Sequence, residues 1–197
     1  MSLPPELDYL MQSLSCVTYN GNQHSDIQVN ESDPSAKLNS INIKMGNGDW
    51  FCFSPDEGRK CKRIHNQAKN VIVMSPLLTV DKSFSHHCAC DAVVFLKKDD
   101  GLLVLYMDLK SDNPTGYSSQ FKSTRQFVKY LIGLYEEFTG SKLSISDERY
   151  IIFHNNKKLL SKTTTVPKSK IGQTAPDRAY KRPISNGDSV YLKELLA

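Results

Sequence analysis

Residues 91–110 read DAVVFLKKDDGLLVLYMDLK, and this stretch decides the fold. Two apolar runs, Asp91-Ala-Val-Val-Phe95 and Val104-Leu-Tyr-Met-Asp-Leu-Lys110, flank a polar turn over 97–101. In a strand, alternate side chains share a face. Asp91, Val93 and Phe95 therefore form one set, and Val104, Tyr106, Asp108 and Lys110 another. With Asp99 and Asp100 at the centre of the turn, Asp91 lies opposite Asp108; with Asp100-Gly101 there, the stronger hairpin signal, it lies opposite Lys110. Both registers gather Asp91, Asp108 and Lys110 on one face, whereas a one-residue slip or a bulge separates them. The other face, Ala92, Val94, Leu96, Leu103, Leu105, Met107 and Leu109, is wholly apolar. A hairpin apolar on both faces is expected inside an α/β layer, with its charges at one rim.

Two carboxylates at that rim repel each other unless something binds them. Mg²⁺ takes oxygen ligands and keeps waters for a phosphate substrate. Such a metal acidifies a bound water and polarises a phosphoryl oxygen, and a neighbouring lysine orients the water or stabilises phosphate charge. Taken singly, an acid at a strand end is usually a solvated cap; the combination on one face of buried strands is what points to chemistry.

Working outward, residues 118–138 carry strong helical periodicity and end at Gly140. Residues 150–153 read as a strand. Upstream, 5–14 form a short helix, with Pro near its start and Leu7, Leu10, Met11 and Leu14 at helical spacing. The polar stretch 20–39 reads as a long surface loop. Strands are expected over 41–45, 50–53 and 71–74, the first two joined as a hairpin through Gly46, Asn47 and Gly48. From 157 to 183 the chain turns basic, with eight Lys or Arg against the single acid Asp177. Residues 191–196 read as a last strand after an Asn186-Gly187 turn.

An acid, an apolar strand, a turn, a second apolar strand ending Asp-Leu-Lys and then a helix with an early Gln resembles the PD-(D/E)XK nuclease superfamily, which includes restriction endonucleases and RecB-like nucleases. The resemblance covers about 88–135. It implies an α/β fold with a restriction-endonuclease-like mixed β-sheet flanked by helices. It implies Mg²⁺ or Mn²⁺ held by Asp91 and Asp108, with Lys110 assisting hydrolysis. Cys90 stands where many members have Pro. Many members add a Glu from an earlier helix, which makes Glu6 the candidate third ligand and Asp8 the next.

The resemblance also implies a helical Gln near the scissile phosphate. Gln126-Phe-Val-Lys-Tyr130 matches the QxxxY motif of RecB-like members. At about 100° per residue, however, Phe121, Val128, Leu131, Ile132, Tyr135 and Phe138 cluster on one side together with Gln120 and Thr124. Gln126 and Tyr130 project elsewhere, so Gln120 is the expected site residue. Lys122, Arg125 and Lys129 form either a phosphate-contacting flank or a plain solvated face.

The bulk numbers agree with this class without requiring it. The chain has 197 residues, 39% hydrophobic and 23% charged, with a net charge of +4. That suits one domain over 1–197, with 157–183 a basic loop or C-terminal extension that could track a nucleic-acid backbone. No run is long and apolar enough to span a bilayer. The first residues lack the pattern of an export signal, so a cytoplasmic protein with reduced thiols is expected. His86, His87, Cys88 and Cys90 suggest zinc, with Cys52, Cys61 or His65 as further ligands. The spacing fits no zinc knuckle, and thiols buried on the face of Ala92 and Val94 are the better account. Cys61 with His65 lacks a third orienting group for a cysteine hydrolase, and residues 59–63 read as a basic patch.

The expectation is thus a Mg²⁺-dependent nuclease acting on DNA, in a defence or mobile-element setting, with a protein partner supplying recognition or translocation. The rivals are a catalytically inactive nuclease-fold module that binds nucleic acid or a partner protein, and a zinc-stabilised interaction domain.

Overall fold

A computed structural model describes residues 2–31, 33–58, 74–75, 77–79, 81, 83–111, 115–155 and 175–196. Residues 71–73 of the expected strand over 71–74, the basic patch over 59–63, Cys61, His65 and most of the basic stretch 157–183 lie outside these residues.

The centre is the hairpin of β5 (Ala92–Lys98) and β6 (Gly101–Lys110). It is extended on one side by β4 (Trp50–Phe53) and β1 (Val17–Asn20), and on the other by β7 (Ile145–His154) and β8 (Tyr180–Pro183). The order is β1-β4-β5-β6-β7-β8, antiparallel as far as β6 and parallel from β6 to β8. Parallel neighbours need a crossover, which α3 (Tyr117–Thr139) supplies between β6 and β7. Gly140, at φ 69°, ends that helix and returns its N–H to the Glu136 carbonyl. The fold is therefore α/β with a mixed sheet, as expected.

Both faces of the sheet are covered, which is why its central strands are apolar throughout. On one face Val93, Phe95, Val104 and Tyr106 pack against Phe121, Val128 and Leu131 of α3 and against α1 (Pro5–Gln12). Leu7 and Leu10 of α1 are fully buried there. At roughly 1.5–3 kcal/mol for each buried leucine, docking rather than intrinsic propensity holds so short a helix. On the other face Val94, Leu103, Leu105 and Met107 pack against a second, three-stranded sheet of order β2-β3-β9. Its strands are β2 (Asp26–Asn30), β3 (Ser40–Lys44) and β9 (Ser189–Tyr191), followed by α4 (Leu192–Leu196). Ile27, Val29, Ile41 and Ile43 alternate with polar residues and turn one face of this sheet inward.

Several expectations are corrected. The supposed loop over 20–39 contains β2, whose Ile27 and Val29 supply a period-two signal too short to stand out in a polar stretch. The segments over 41–45 and 50–53 do not form a hairpin. β3 pairs with β2 and β9, β4 pairs with β1 and β5, and Gly46–Gly48 carries the chain between sheets. There the Trp50 indole N–H donates to the Gly46 carbonyl at 2.8 Å, which fixes the crossing. The expected last strand over 191–196 is mostly α4, with β9 ending at Tyr191. The described end of the basic stretch is not an appendage, because β8 is the edge strand beside β7. Phe138, expected on the packed side of α3, is instead 74% exposed in the last turn of the helix. No described helix is long and apolar enough to cross a membrane.

Candidate functional site

Ala92 pairs with Met107 and Lys98 with Gly101, so Asp99 and Asp100 form the centre of the turn. The register continues to bring Asp91 opposite Asp108, the first of the two arrangements the sequence left open. Gly101 is needed at the start of β6 instead. Its φ is +143°, and a Cβ there would lie 2.6 Å from the Ser144 carbonyl oxygen.

At the rim, the Asp91 N–H donates to the Met107 carbonyl at 3.1 Å. Asp91 Oδ2 accepts from the Leu109 N–H at 2.6 Å. Asp91 is 6% exposed and Asp108 is fully buried. Lys110 Nζ lies 2.7 Å from Asp108 Oδ2. That ion pair holds Oδ2, while Asp108 Oδ1 has no hydrogen-bond partner among the described residues. Lys110 Nζ also donates to Gln120 Oε1 at 2.8 Å, and Gln120 Nε2 donates to the Ala89 carbonyl at 3.1 Å.

Helix α3 thus holds both sides of the hairpin. Besides Gln120, Ser123 Oγ donates to the His86 carbonyl at 2.6 Å, and Thr124 Oγ1 accepts from the Cys90 N–H at 3.1 Å. Ser54 Oγ, just after β4, donates to the Asp91 carbonyl at 2.9 Å. These bonds aim the segment leading into Asp91. Gln126 is exposed and Tyr130 is 62% exposed, so the literal QxxxY match faces away from the hairpin. Arg125 is occupied by Glu148, with Nε at 3.0 Å from Oε1.

The electrostatics follow from burial. Burial raises the Asp108 carboxyl to about 6 against the opposing charge of Lys110, with Glu31 and Asp56 adding to the rise. Asp91 is pushed well above the usual carboxylate range by burial first, then by the charges of Asp108 and Glu31. Burial works against the Lys110 charge, yet Asp108, Asp91 and Glu31 together hold it above its ordinary value. Among the described residues the rim thus gathers buried carboxyl groups around the Lys110 ammonium, and burial favours their neutral forms.

Sequence reasoning missed Glu31 and Asp56. Glu31 follows β2 and Asp56 lies in the short helix α2 (Pro55–Gly58), and neither belongs to a recognisable motif. A cleft of about 200 Å³ beside Asp91 is lined in part by Gln28, Asn30, Ser54 and Glu57. His154, opposite Lys110 on β7, was also missed.

Glu6 does not reach the site. Its Oε1 lies 2.7 Å from Lys97 Nζ, six positions along the hairpin from Asp91, or roughly 20 Å at strand rise. Asp8 stays on α1, accepting from Gln12 Nε2 at 2.6 Å. Among the described residues no group of three or more His, Cys, Asp or Glu is arranged to hold a metal, so the zinc arrangement gains no support. Cys90 does not share the face of Ala92 and Val94. It packs on the α3 side, because the chain before β5 is bonded to the helix. Burial pushes the Cys52 thiol up to about 12 and Cys90 likewise upward, as for inert core thiols.

No family model, no curated protein and no solved structure matches this chain.

Proposed function

We propose that the chain is a metal-dependent nuclease of the PD-(D/E)XK type, with a restriction-endonuclease-like core, and that it hydrolyses phosphodiester bonds in DNA. The observation that carries this reading is the Asp108 carboxylate, fully buried at the rim it shares with Asp91, with Oδ2 met by Lys110 and Oδ1 left without a hydrogen-bond partner among the described residues. Buried polar atoms of this kind cost free energy unless a ligand satisfies them. Hard oxygen donors fit Mg²⁺ or Mn²⁺, so Asp91 and Asp108 are the residues that would hold the ion. Bound there, a divalent ion would supply Lewis-acid polarisation of a phosphoryl oxygen and a more acidic water.

The chain's own groups divide the remaining work. Lys110 Nζ, steadied by Gln120 Oε1 at 2.8 Å, is placed to donate to a phosphate oxygen or to the attacking water. Gln120 also bonds the Ala89 carbonyl, so one side chain links the segment before β5 to the end of β6. Apolar packing on both faces of the hairpin excludes bulk water from the back of the carboxylates.

One observation favours a second reading. The 2.7 Å contact between Lys110 and Asp108 neutralises the carboxylate internally, as in a nuclease-fold module that binds nucleic acid or a partner protein without cutting. Incubating plasmid and single-stranded DNA with wild type and Lys110→Ala, in Mg²⁺, Mn²⁺ or chelator, separates the two. The nuclease reading expects metal-dependent cutting that falls at least a hundredfold in Lys110→Ala. Equal cutting by both proteins would exclude Lys110 from the chemistry. No cutting by wild type under any condition would favour the binding module.

A further inference from the structure

The rim carries a second set of groups, basic rather than acidic, on β6, β7 and β8. Lys110 lies opposite His154, and His154 opposite Pro183. Lys181, two positions before Pro183, lies opposite Ile152. Facing residues of a parallel ladder point the same way, and alternate residues share a face. Lys110, His154 and Lys181 therefore all stand on the α3 side of the sheet. Across two strand spacings they extend roughly 10 Å, enough to meet more than one phosphate of a strand whose charges recur about every 3.4 Å of helix axis.

Among the described residues, His154 Nδ1 lacks a hydrogen-bond partner and Lys181 lacks an acidic one. His154 is only 1% exposed, and its Nδ1 has no hydrogen-bond partner among the described residues. A buried imidazole nitrogen left this way is costly unless a ligand meets it. Lys181 has no acidic partner among the described residues, whereas Arg125, Lys97 and Arg182 are each matched to a glutamate. Its Nζ sits 5.4 Å from the centre of the Tyr117 ring at the start of α3. The Tyr117 hydroxyl donates to the Asp177 carbonyl at 3.1 Å, which ties the approach to β8 onto the helix. Burial, and then the charge of Lys181, hold the His154 imidazole below its ordinary pKa. It is therefore neutral near neutral pH and can offer one N–H without a charge to desolvate.

We propose that Lys110, His154 and Lys181 form a track for the DNA backbone, seating the phosphates next to the one presented to Asp91 and Asp108. The track rests on the nuclease reading for its orientation, since Lys110 joins the two groups.

Fluorescence anisotropy with labelled single-stranded and duplex DNA, in chelator and over a salt series, tests it on the full chain. The proteins are wild type, Lys181→Ala, His154→Gln, Asp108→Asn and, as a control at the far turn, Lys98→Ala. Lys181→Ala is expected to weaken binding about five- to tenfold and to lower the salt slope by about one unit. His154→Gln is expected to weaken binding several-fold with its thermal transition retained, and Lys98→Ala to bind like wild type. Because Lys181 is exposed, its variant keeps the test valid should His154→Gln misfold. Unchanged affinity and salt slope in Lys181→Ala would overturn the track, even if wild type cuts DNA. Absence of DNA binding by wild type would also overturn it. Cleavage by the same samples in Mn²⁺ judges the nuclease reading separately. Track-dependent binding without cutting would sink that reading and leave the track standing.

Discussion

Asp108 is a carboxylate whose burial works against its charge. Its folded-state pKa is raised from 3.8 to about 6, by burial first and against the pull of Lys110. An acid whose pKa rises on folding leaves the native state holding a proton the unfolded chain has already lost. Stability from this group therefore falls as pH rises from about 4 to about 6, the reverse of the usual salt-bridged carboxylate. In chelator, chemical denaturation of Asp108→Asn should match wild type near the lower limit. Near neutrality the variant should be more stable by on the order of 1–3 kcal/mol. Mn²⁺ should stabilise wild type and not the variant. Parallel pH profiles would mean that the carboxylate is not held in a costly environment. The acid was legible in the sequence because it ends an apolar strand beside Lys110. Its electrostatic neighbours Glu31 and Asp56 were not, since only tertiary packing brings them near.

Among elements, the hairpin was the most legible, because an unbroken apolar pattern over both strands leaves few arrangements. Its register was not decided by local turn chemistry. Asp100-Gly101 suits the centre of a two-residue turn, yet the glycine is used where β6 passes the Ser144 backbone. Gly101→Ala would place a Cβ 2.6 Å from the Ser144 carbonyl oxygen at a φ of +143°. Urea titration should show a loss of about 2–3 kcal/mol. Gly133 is an internal contrast, an exposed position within α3 where an added Cβ meets nothing within 4 Å. Gly133→Ala should gain about 0.5–1 kcal/mol. Equal effects at the two sites would contradict the close approach assigned to Gly101. Helix α3 was read from periodicity, and the choice of Gln120 over Gln126 followed from the same wheel. Strand β2 was missed because only Ile27 and Val29 mark it within a polar stretch.

Over the whole molecule, the apolar pattern on both faces of the hairpin announced two covering layers without identifying them. One is helical, and the sequence shows it plainly. The other is the sheet β2-β3-β9, in which β3 pairs in parallel with a strand from the far end of the chain. Such long-range pairing leaves almost no local trace. Layering also explains why Glu6 fails as a ligand, since α1 crosses the sheet at the turn end while the carboxylates sit at the opposite rim. What remains of the site is the pair Asp91 and Asp108, and its capacity for a divalent ion is the central claim. Calorimetric titration of Mn²⁺ into the metal-free protein tests it most directly, using wild type, Asp108→Asn and Glu6→Gln. Saturable binding is expected in wild type and, within about twofold, in Glu6→Gln. Affinity should fall at least tenfold in Asp108→Asn, a loss of about 1.4 kcal/mol or more. No saturable binding by wild type, or equal affinity in Asp108→Asn, would contradict a metal centre on this hairpin.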